Sequence, residues 1–392
     1  MYISLVSYLL LAIPLIVFFL WRGLEIIGDG VFYINQANTI INRLVAGGGL
    51  AYSFRDVNPF YLLPIGLLAI TIYFSGKHWQ EAILIANAIF FGLCAPSVYL
   101  LYRLLGGAQK ISGAVFAAII PMSYPEVLFL GNIPLRDIPF TGVASLVTVV
   151  IIWSMRIKIS LFSYLFCLGM CVGLIMFRPN AIIFIAATTA VYWWAWWAEN
   201  EPRLRVARQI LLIQLFCSIV IIALFAWWFS DPFPLPIKII DNLFRNILVI
   251  NQGGNIIIDH TDMVMGKPNC FYNYLSLLLH KFIYYFRYWN PKHGTVHFIY
   301  RHIYFGALII NFVWIAIKYI CSKSEQNNKL VIRAVLFNLS LAIAGATLHS
   351  VLVLAYEFRY QMIIFTIIWA IFLITAVPLI EKFIFSKRSC PK

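Results

Sequence analysis

Long apolar segments recur along this 392-residue chain and constrain its fold more than any other feature. The first covers residues 2–20, and nine later segments follow it at 82–102, 111–129, 139–155, 161–177, 181–198, 209–229, 302–320, 330–355 and 361–380. Each has about the length that crosses a bilayer as a helix. Only 11% of the residues are charged, whereas about a quarter are charged in soluble proteins. The sequence therefore predicts an all-α polytopic membrane protein of about ten transmembrane helices.

A further apolar segment, 59–74, is near the lower length limit for a span and contains Pro64 and Gly66. If it does not span, both chain termini and the short basic loops lie on the cytoplasmic side, as the positive-inside rule requires. These loops contain Arg103, Lys110, Arg156, Lys158, Arg203, Arg205, Arg208, Lys323 and Lys329. If the segment spans, all of them move outside. We therefore expect residues 59–74 to lie outside, beside the membrane.

This topology divides the chain into three parts. Residues 1–229 form an N-terminal transmembrane module that includes an external loop, 21–80. Residues 230–301 form a second external loop with juxtamembrane helices, and residues 302–392 form the last transmembrane helices and a cytoplasmic tail. Apolar residues recur at helical spacing in the first loop, at Ile34, Ala37, Ile40, Ile41 and Leu44. That spacing predicts an amphipathic helix on the membrane surface.

The formal net charge of +14 has a topological explanation in a membrane protein. Lysine and arginine accumulate in cytoplasmic loops and near lipid headgroups. The sequence shows no basic face and no nucleic-acid-binding module, so we predict membrane lipids and no nucleic acid as partners.

Polar residues gather at the predicted outer boundary of the membrane. They are Asp29, Arg136, Asp137, Arg178, Glu357, Arg359 and Tyr360. A carboxylate at a membrane edge is costly unless it is solvated, paired or used. Carboxylates and arginines at one depth point to a site that handles a hydroxyl proton and a phosphate. The arginine fork suits phosphate oxygens and keeps its charge near lipid.

Simpler roles stay open for the same residues. Asp29 could cap the helix that starts near Val31, because aspartate is a preferred cap. Asp137 could form a boundary ion pair with the adjacent Arg136. Arg178 and Arg359 could be headgroup anchors whose cations reach the interface.

The motifs around these residues, taken in order, resemble the GT-C superfamily of integral membrane glycosyltransferases, in particular protein O-mannosyltransferases and the aminoarabinose transferase of lipid A. They are Gly28-Asp29-Gly30-Val31-Phe32-Tyr33, Asn58-Pro59-Phe60-Tyr61-Leu62-Leu63, Arg136-Asp137-Ile138-Pro139, Phe177-Arg178-Pro179-Asn180 and Arg359-Tyr360. The resemblance covers roughly residues 1–200 in order, and after that only Arg359-Tyr360.

The resemblance implies an enzyme that moves a sugar from a polyprenyl phosphate to a lipid, glycan or protein acceptor. The site would face outward from a bacterial inner membrane or a plasma membrane. Asp29 would act as general base, and attack from the opposite face would invert the anomeric centre. Asp137 would orient the acceptor or hold an arginine in place.

The remaining roles follow from the same resemblance. The donor phosphate would be bound by Arg178, Arg359 and Tyr360. Relatives often carry a basic residue where this chain has Asn58, and Arg55, Lys267 or Arg287 would replace it. Glu357, Arg136 and Tyr33 would contact or orient the acceptor.

The chain departs from the family at Gly30, where many relatives have a second acidic residue. A lone carboxylate is a poor divalent site, so a divalent metal stays an alternative that is not favoured, and no cofactor is expected. Two other functions remain as alternatives. A surface-polysaccharide polymerase or ligase uses the same kind of donor. A lipid or solute transporter predicts charges within spans, or broken helices in two related halves, and neither is visible in the sequence.

Overall fold

The computed structural model describes residues 2–26, 29–55, 57, 61–124, 127, 131–134, 137–157, 159–198, 256–259, 264–266, 279–286, 295–321, 326–351 and 364–386. Its N-terminal helices are α1 (Tyr2–Arg22), α2 (Asp29–Val45), α3 (Leu50–Ser53), α4 (Leu62–Ser75), α5 (Trp79–Gly92), α6 (Cys94–Leu104) and α7 (Ile111–Met122). The later helices are α8 (Asp137–Ile157), α9 (Leu161–Ile175), α10 (Ile182–Ala198), α11 (Thr295–Cys321), α12 (Gln326–Val351) and α13 (Phe365–Ser386).

The chain has the architecture of a multi-pass α-helical membrane protein. Six described helical stretches are long and apolar enough to cross a membrane: Tyr2–Arg22, Leu62–Leu104, Asp137–Arg156, Phe298–Tyr319, Lys329–Ser350 and Phe365–Lys382. Helices α7 and α9 are apolar but shorter, and the predicted segment 209–229 lies outside the described residues. The total of ten spans therefore stays a prediction.

A small β-hairpin departs from the expected all-helical structure. Strands β1 (Ile256–Asp259) and β2 (Val264–Gly266) pair antiparallel within the predicted loop 230–301. Isoleucines at 256, 257 and 258 favour a strand because β-branched side chains suit the extended backbone.

One continuous apolar core joins the long helices. Helix α1 packs on α5, α6 and α7, while α8 packs on α5, α6, α9 and α12. Glycine permits the closest of these contacts. A Cβ atom at Gly142 of α8 would lie 1.7 Å from the Phe90 carbonyl oxygen of α5. Backbones approach this closely in membrane bundles where small residues face each other.

Polar contacts mark one end of the bundle. Lys110, just before α7, pairs with Glu381 near the end of α13, and the Ser112 hydroxyl donates to the same carboxylate at 2.7 Å. Arg333, early in α12, donates to the carbonyl of Met155, late in α8. At about 1.5 Å per residue, α8 carries the chain some 30 Å from this end to Asp137 at the other. We call the Asp137 end the site end.

Helices α4 and α5 form a helical hairpin within the apolar stretch 62–104. Pro64 of α4 and Phe90 of α5 line the same groove, although a straight helix would hold them about 39 Å apart. The turn is a short 3₁₀ helix, Gly76–His78, and Gly76 has a φ of 53°, which favours glycine.

The hairpin lies at the site end. Along α5 and α6, Asn87 donates to the Ile133 carbonyl, Phe90 meets Gly142, and Cys94 contacts Ser145. In sequence order these contacts move along α8 from near Asp137 toward its other end. The part of α5 that precedes Asn87 therefore extends past Asp137, beyond the site end of the bundle. Helix α4 therefore does not run along the bundle to the Lys110–Glu381 contact.

Helix α2 has the apolar face that its sequence predicts, but this face packs on protein. Tyr33, Ala37 and Ile40 are buried with Ile65 and Ala69 of α4. This face is covered by α4, so it does not lie on the membrane surface. The predicted contact of this face with the membrane surface is therefore wrong. The asparagines and glutamine on the other side of α2 remain at least partly exposed.

Candidate functional site

A buried ion pair lies at the centre of the site end. Asp137 is the first residue of α8, and its Oδ1 atom pairs with Nη1 of Arg178, just beyond α9. The two residues are 2% and 3% exposed. The Phe140 ring lies beneath the guanidinium, with its centroid 5.9 Å from Cζ of Arg178. The carboxylate also sits at a helix N-terminus, where the helix dipole favours negative charge.

Local backbone structure sets the position of Arg178. Its own N–H donates to the Leu174 carbonyl at 3.0 Å, which closes the last turn of α9. Its backbone is then extended, with φ −157° and ψ 124°, before Pro179 starts a short 3₁₀ helix. Proline fixes the φ angle that a first helical position requires. The arginine is therefore held between two helices rather than on a free loop.

The ion pair bears on the simpler roles left open for Asp137 and Arg178. Asp137 pairs with Arg178, while Arg136 lies outside the described residues. An arginine that anchors headgroups exposes its cation, whereas Arg178 is 3% exposed. Of the two roles expected for Asp137, holding an arginine fits this geometry.

A segment of the predicted second external loop also reaches the site end. Residues 279–286 include a helical turn whose Lys281 and Tyr285 are 1% and 2% exposed. The Tyr285 ring centroid lies 5.7 Å from that of His349 in α12. A Cβ atom at Gly345 would lie 2.6 Å from the Tyr285 hydroxyl oxygen, so glycine makes room for this phenol.

The electrostatics of this segment follow from its burial. Burial lowers the pKa of Lys281 to about 8. Burial also raises the pKa of Tyr285, and the nearby positive charge of Arg178 partly opposes that shift. Lys281 can therefore change its charge just above neutral pH, while Tyr285 stays a phenol and can donate a hydrogen bond.

The start of α2 meets the chain just before α8. A Cβ atom at Gly30 would lie 2.9 Å from Cγ of Pro134, and the Glu25 N–H donates to the Asn132 carbonyl at 2.9 Å. Asp29 is the first residue of α2, so its backbone lies at the site end with Asp137 and Arg178. The Asp29 side chain is outside the described part of the structure.

Asn87 of α5 holds the segment just before α8, which the start of α2 also contacts. Its Nδ2 atom donates to the carbonyls of Gly131 at 3.0 Å and Ile133 at 3.1 Å. The side chain is 4% exposed, so both hydrogen bonds are shielded from water. The loop that leads to Asp137 is thus tied to α5.

We expect Asn87→Asp to lower the free energy of unfolding by about 2–3 kcal/mol, because a carboxylate oxygen would then face two buried carbonyls and leave them unsatisfied. Asn38→Asp is the matched control, since Asn38 is exposed on α2 and its change should stay within about 0.5 kcal/mol. Thermal or denaturant unfolding of the purified variants measures both. Equal stability of the two variants would contradict the loop's dependence on Asn87.

A mostly apolar groove opens at the site end, between α2, α4, α5 and the start of α8. Its lining residues are Tyr33, Pro64, Leu67, Leu68, Thr71, Ile83, Ala86, Asn87, Phe90, Pro134 and Pro139. Pro139 directly precedes Phe140, the residue packed under Arg178. Tyr33 therefore belongs to a groove whose lining favours an apolar chain.

Of the other predicted residues, only Arg55 is described by the structure. Arg55 is exposed after α3. Arg136, Lys267, Arg287, Glu357, Arg359 and Tyr360 lie outside the described residues. Within the described ranges, no three His, Cys, Asp or Glu side chains are grouped to hold a metal ion.

The site also contains residues that the sequence did not single out for a role. Lys281 and Tyr285 precede the predicted phosphate ligand Arg287 in the sequence, and their closeness to it was the available signal. His349 lies within the predicted span 330–355. Comparison with known proteins adds no relative, since no protein-family model, curated protein or solved structure matches the chain.

Proposed function

We propose that this chain is an inverting glycosyltransferase of GT-C type, which moves a sugar from a polyprenyl phosphate to an acceptor on the non-cytoplasmic face. One observation carries the proposal: the buried Asp137–Arg178 pair lies at the same end of the bundle as the first residue of α2, Asp29. A fixed cation and a second carboxylate are the groups that this reaction requires.

Arg178 would stabilise the leaving phosphate. Negative charge grows on the phosphate oxygens as the bond to the sugar breaks, and a preorganised guanidinium favours that charge. Asp137 holds Arg178 in place, so the arginine needs no rearrangement during the reaction. The ring of Phe140 supports the guanidinium plane and keeps water away from it.

Asp29 would act as general base. The acceptor oxygen or nitrogen attacks the anomeric carbon and gives its proton to the carboxylate. The bond from that carbon to the phosphate oxygen breaks, and its electron pair leaves with the phosphate. Attack opposite the leaving group inverts the configuration of the anomeric carbon.

Two further features support a lipid-linked substrate and an outward site. The apolar groove, which includes Pro139 of α8, suits a hydrocarbon chain at the same end of the bundle as Arg178. The opposite end of the bundle carries Arg103, Lys110 and Arg156. By the positive-inside rule that end faces the cytoplasm, so the site end would face outward.

We expect Asp29→Asn to reduce sugar transfer at least about 100-fold, because an amide cannot accept the acceptor's proton. Glu25→Gln is the matched control: Glu25 also follows α1, forms an exposed ion pair with Arg22 and should leave transfer unchanged. The measurement is product formation by purified protein supplied with a polyprenyl-phosphate sugar and candidate acceptors.

Three outcomes of that assay count against the proposal. Near-normal turnover by Asp29→Asn would remove Asp29 as the base. Equal loss in both variants would indicate general damage to the region after α1. Movement of lipid or solute across a vesicle membrane, without any new glycosidic bond, would favour a transporter.

A further inference from the structure

The face of α2 that turns away from α4 is exposed and uncharged. Asn35, Asn38 and Asn42 recur there at intervals of three and four residues, so their side chains form one row along the helix. All three are exposed, whereas Ala37 and Ile40 on the opposite face are buried against α4. We call the three asparagines the amide row. Neighbouring Cβ atoms are about 5–6 Å apart, and the row is about 10 Å long.

The side chains of the amide row are available to a ligand. Within the part of the chain that the structure describes, no residue hydrogen-bonds the side chains of Asn35, Asn38 or Asn42. Thr39 is also exposed on this face, but its hydroxyl already donates to the Asn35 carbonyl at 2.9 Å. Phe32 lies one turn before the row and is 48% exposed. The face therefore offers free amides and part of one aromatic ring.

The composition of this face differs from that of an ordinary solvated helix. No charged residue occurs from Gly30 to Asn42, although the whole chain has a net charge of +14. Asparagine is also a weaker helix former than alanine, lysine or glutamate, which suit exposed helix positions. A row of asparagines therefore weakens the helix without adding charge for solubility. Sequences depart from local preferences in this way mainly where the side chains serve a function.

A neutral carbohydrate matches this face better than other large ligands. An amide has two N–H donors and a carbonyl acceptor, so it can bond sugar hydroxyl groups, which both donate and accept. The ring of Phe32 can pack against the C–H groups of a sugar. Nucleic acids and anionic lipids require basic residues, and protein partners are usually anchored by tryptophan, tyrosine or arginine. None of these is exposed between Gly30 and Asn42, all of which the structure describes.

We propose that the amide row and Phe32 form a docking surface for a neutral glycan, which is the acceptor of the sugar. The inference rests on the proposed function for the role of the glycan as acceptor. Helix α2 begins at the site end with Asp29, about 9 Å along the helix axis from Asn35. A glycan that lies along the row would extend to the start of α2 and present its terminal hydroxyl at the site end. The acceptor would then be a glycan rather than a protein or a simple lipid.

An array of immobilised neutral and anionic glycans, probed with the fluorescently labelled protein in lipid nanodiscs, tests this inference. We expect the wild-type protein to bind neutral glycans. The triple variant Asn35→Ala, Asn38→Ala and Asn42→Ala should bind them at least about tenfold more weakly, because the hydrogen bonds of three amides are lost. Gln80→Ala is the matched control, since Gln80 is an exposed amide on α5, outside the amide row.

The triple variant is expected to keep its fold. Alanine favours a helix more than asparagine does, and all three positions are exposed, so thermal unfolding should occur at the wild-type temperature or above it. A loss of binding at equal or higher stability is then due to the missing amides. With a glycan that the array identifies as acceptor, the variant should raise KM at least about tenfold and leave kcat nearly unchanged, as expected for a contact that only binds substrate.

The outcomes separate this inference from the proposed function. A wild-type protein that binds no neutral glycan, or anionic glycans equally well, would overturn the docking surface, and so would unchanged binding by the triple variant. Sugar transfer to a protein or lipid acceptor at equal rates by wild type and triple variant would overturn the glycan as acceptor and still agree with a glycosyltransferase. Glycan binding that depends on the amide row, without any sugar transfer, would support the docking surface and count against the glycosyltransferase.

Discussion

Replacement of Arg178 by methionine is expected to lower the free energy of unfolding by about 3–5 kcal/mol, because it leaves the Asp137 carboxylate buried without its cation. The carboxylate is 2% exposed, so water cannot take the place of the guanidinium. Some of this loss can be avoided if Asp137 takes up a proton and becomes neutral, and the cost should therefore be smaller at low pH.

A double variant separates stability from function at this pair. Arg178→Met combined with Asp137→Leu removes both charges, and removal of a whole buried pair is often close to neutral. We expect the double variant to be nearer to wild type in stability than either single variant. We also expect it to transfer sugar about 100-fold more slowly or worse, since the cation that we propose to stabilise the leaving phosphate is gone.

Unfolding in mixed micelles, together with transfer assays on the folded fraction, measures both effects. Additive losses in the double variant would show that the two side chains are not energetically coupled. A stable double variant that still transfers sugar at the normal rate would show that Arg178 does not act on the leaving group.

Gly142→Ala is expected to have the second large effect. Alanine normally stabilises a helix interior by about 0.5–1 kcal/mol relative to glycine. Here the new methyl group would lie 1.7 Å from the Phe90 carbonyl oxygen, a backbone atom that cannot rotate away. Helices α5 and α8 must then separate, and we expect a loss of about 3 kcal/mol or more, at or above the upper end for overpacked cores.

Gly169→Ala in α9 is the matched control. Nothing lies within 4 Å of a Cβ atom at Gly169, so the variant should be neutral or slightly stabilised. Thermal unfolding of the two purified variants gives the comparison. A Gly142→Ala protein as stable as Gly169→Ala would mean that α5 and α8 do not cross as closely as described.

Much of the fold follows from local patterns in the sequence. Apolar length is enough to predict most of the helices, because a span must satisfy its own backbone hydrogen bonds. The proline and glycine near the start of α4 do not break that helix, which begins at Leu62 and continues to Ser75. The hairpin of α4 with α5 depends on Gly76, which has a positive φ. Composition does not show which glycine of the chain adopts such a turn conformation.

The sequence singled out Asp29, Asp137 and Arg178 because each follows or precedes an apolar run, and membrane boundaries are readable from hydropathy. Their roles in function stay predictions. From the sequence, Asp137 was expected to hold an arginine or to pair with the adjacent Arg136, but Arg178 was not identified as its partner. Lys281 and His349 come from distant segments, and only tertiary packing brings them together.

The turn at Gly76–His78 has a consequence for how the chain is inserted into a membrane. An insertion machinery that recognises apolar length meets 43 consecutive residues, Leu62–Leu104, which is enough for two crossings. If α4 were threaded across the bilayer during synthesis, every later helix would start in the opposite orientation. We expect the pairing of α4 with α2, which is already synthesised when α4 emerges, to keep α4 at the end of the bundle from which α5 starts.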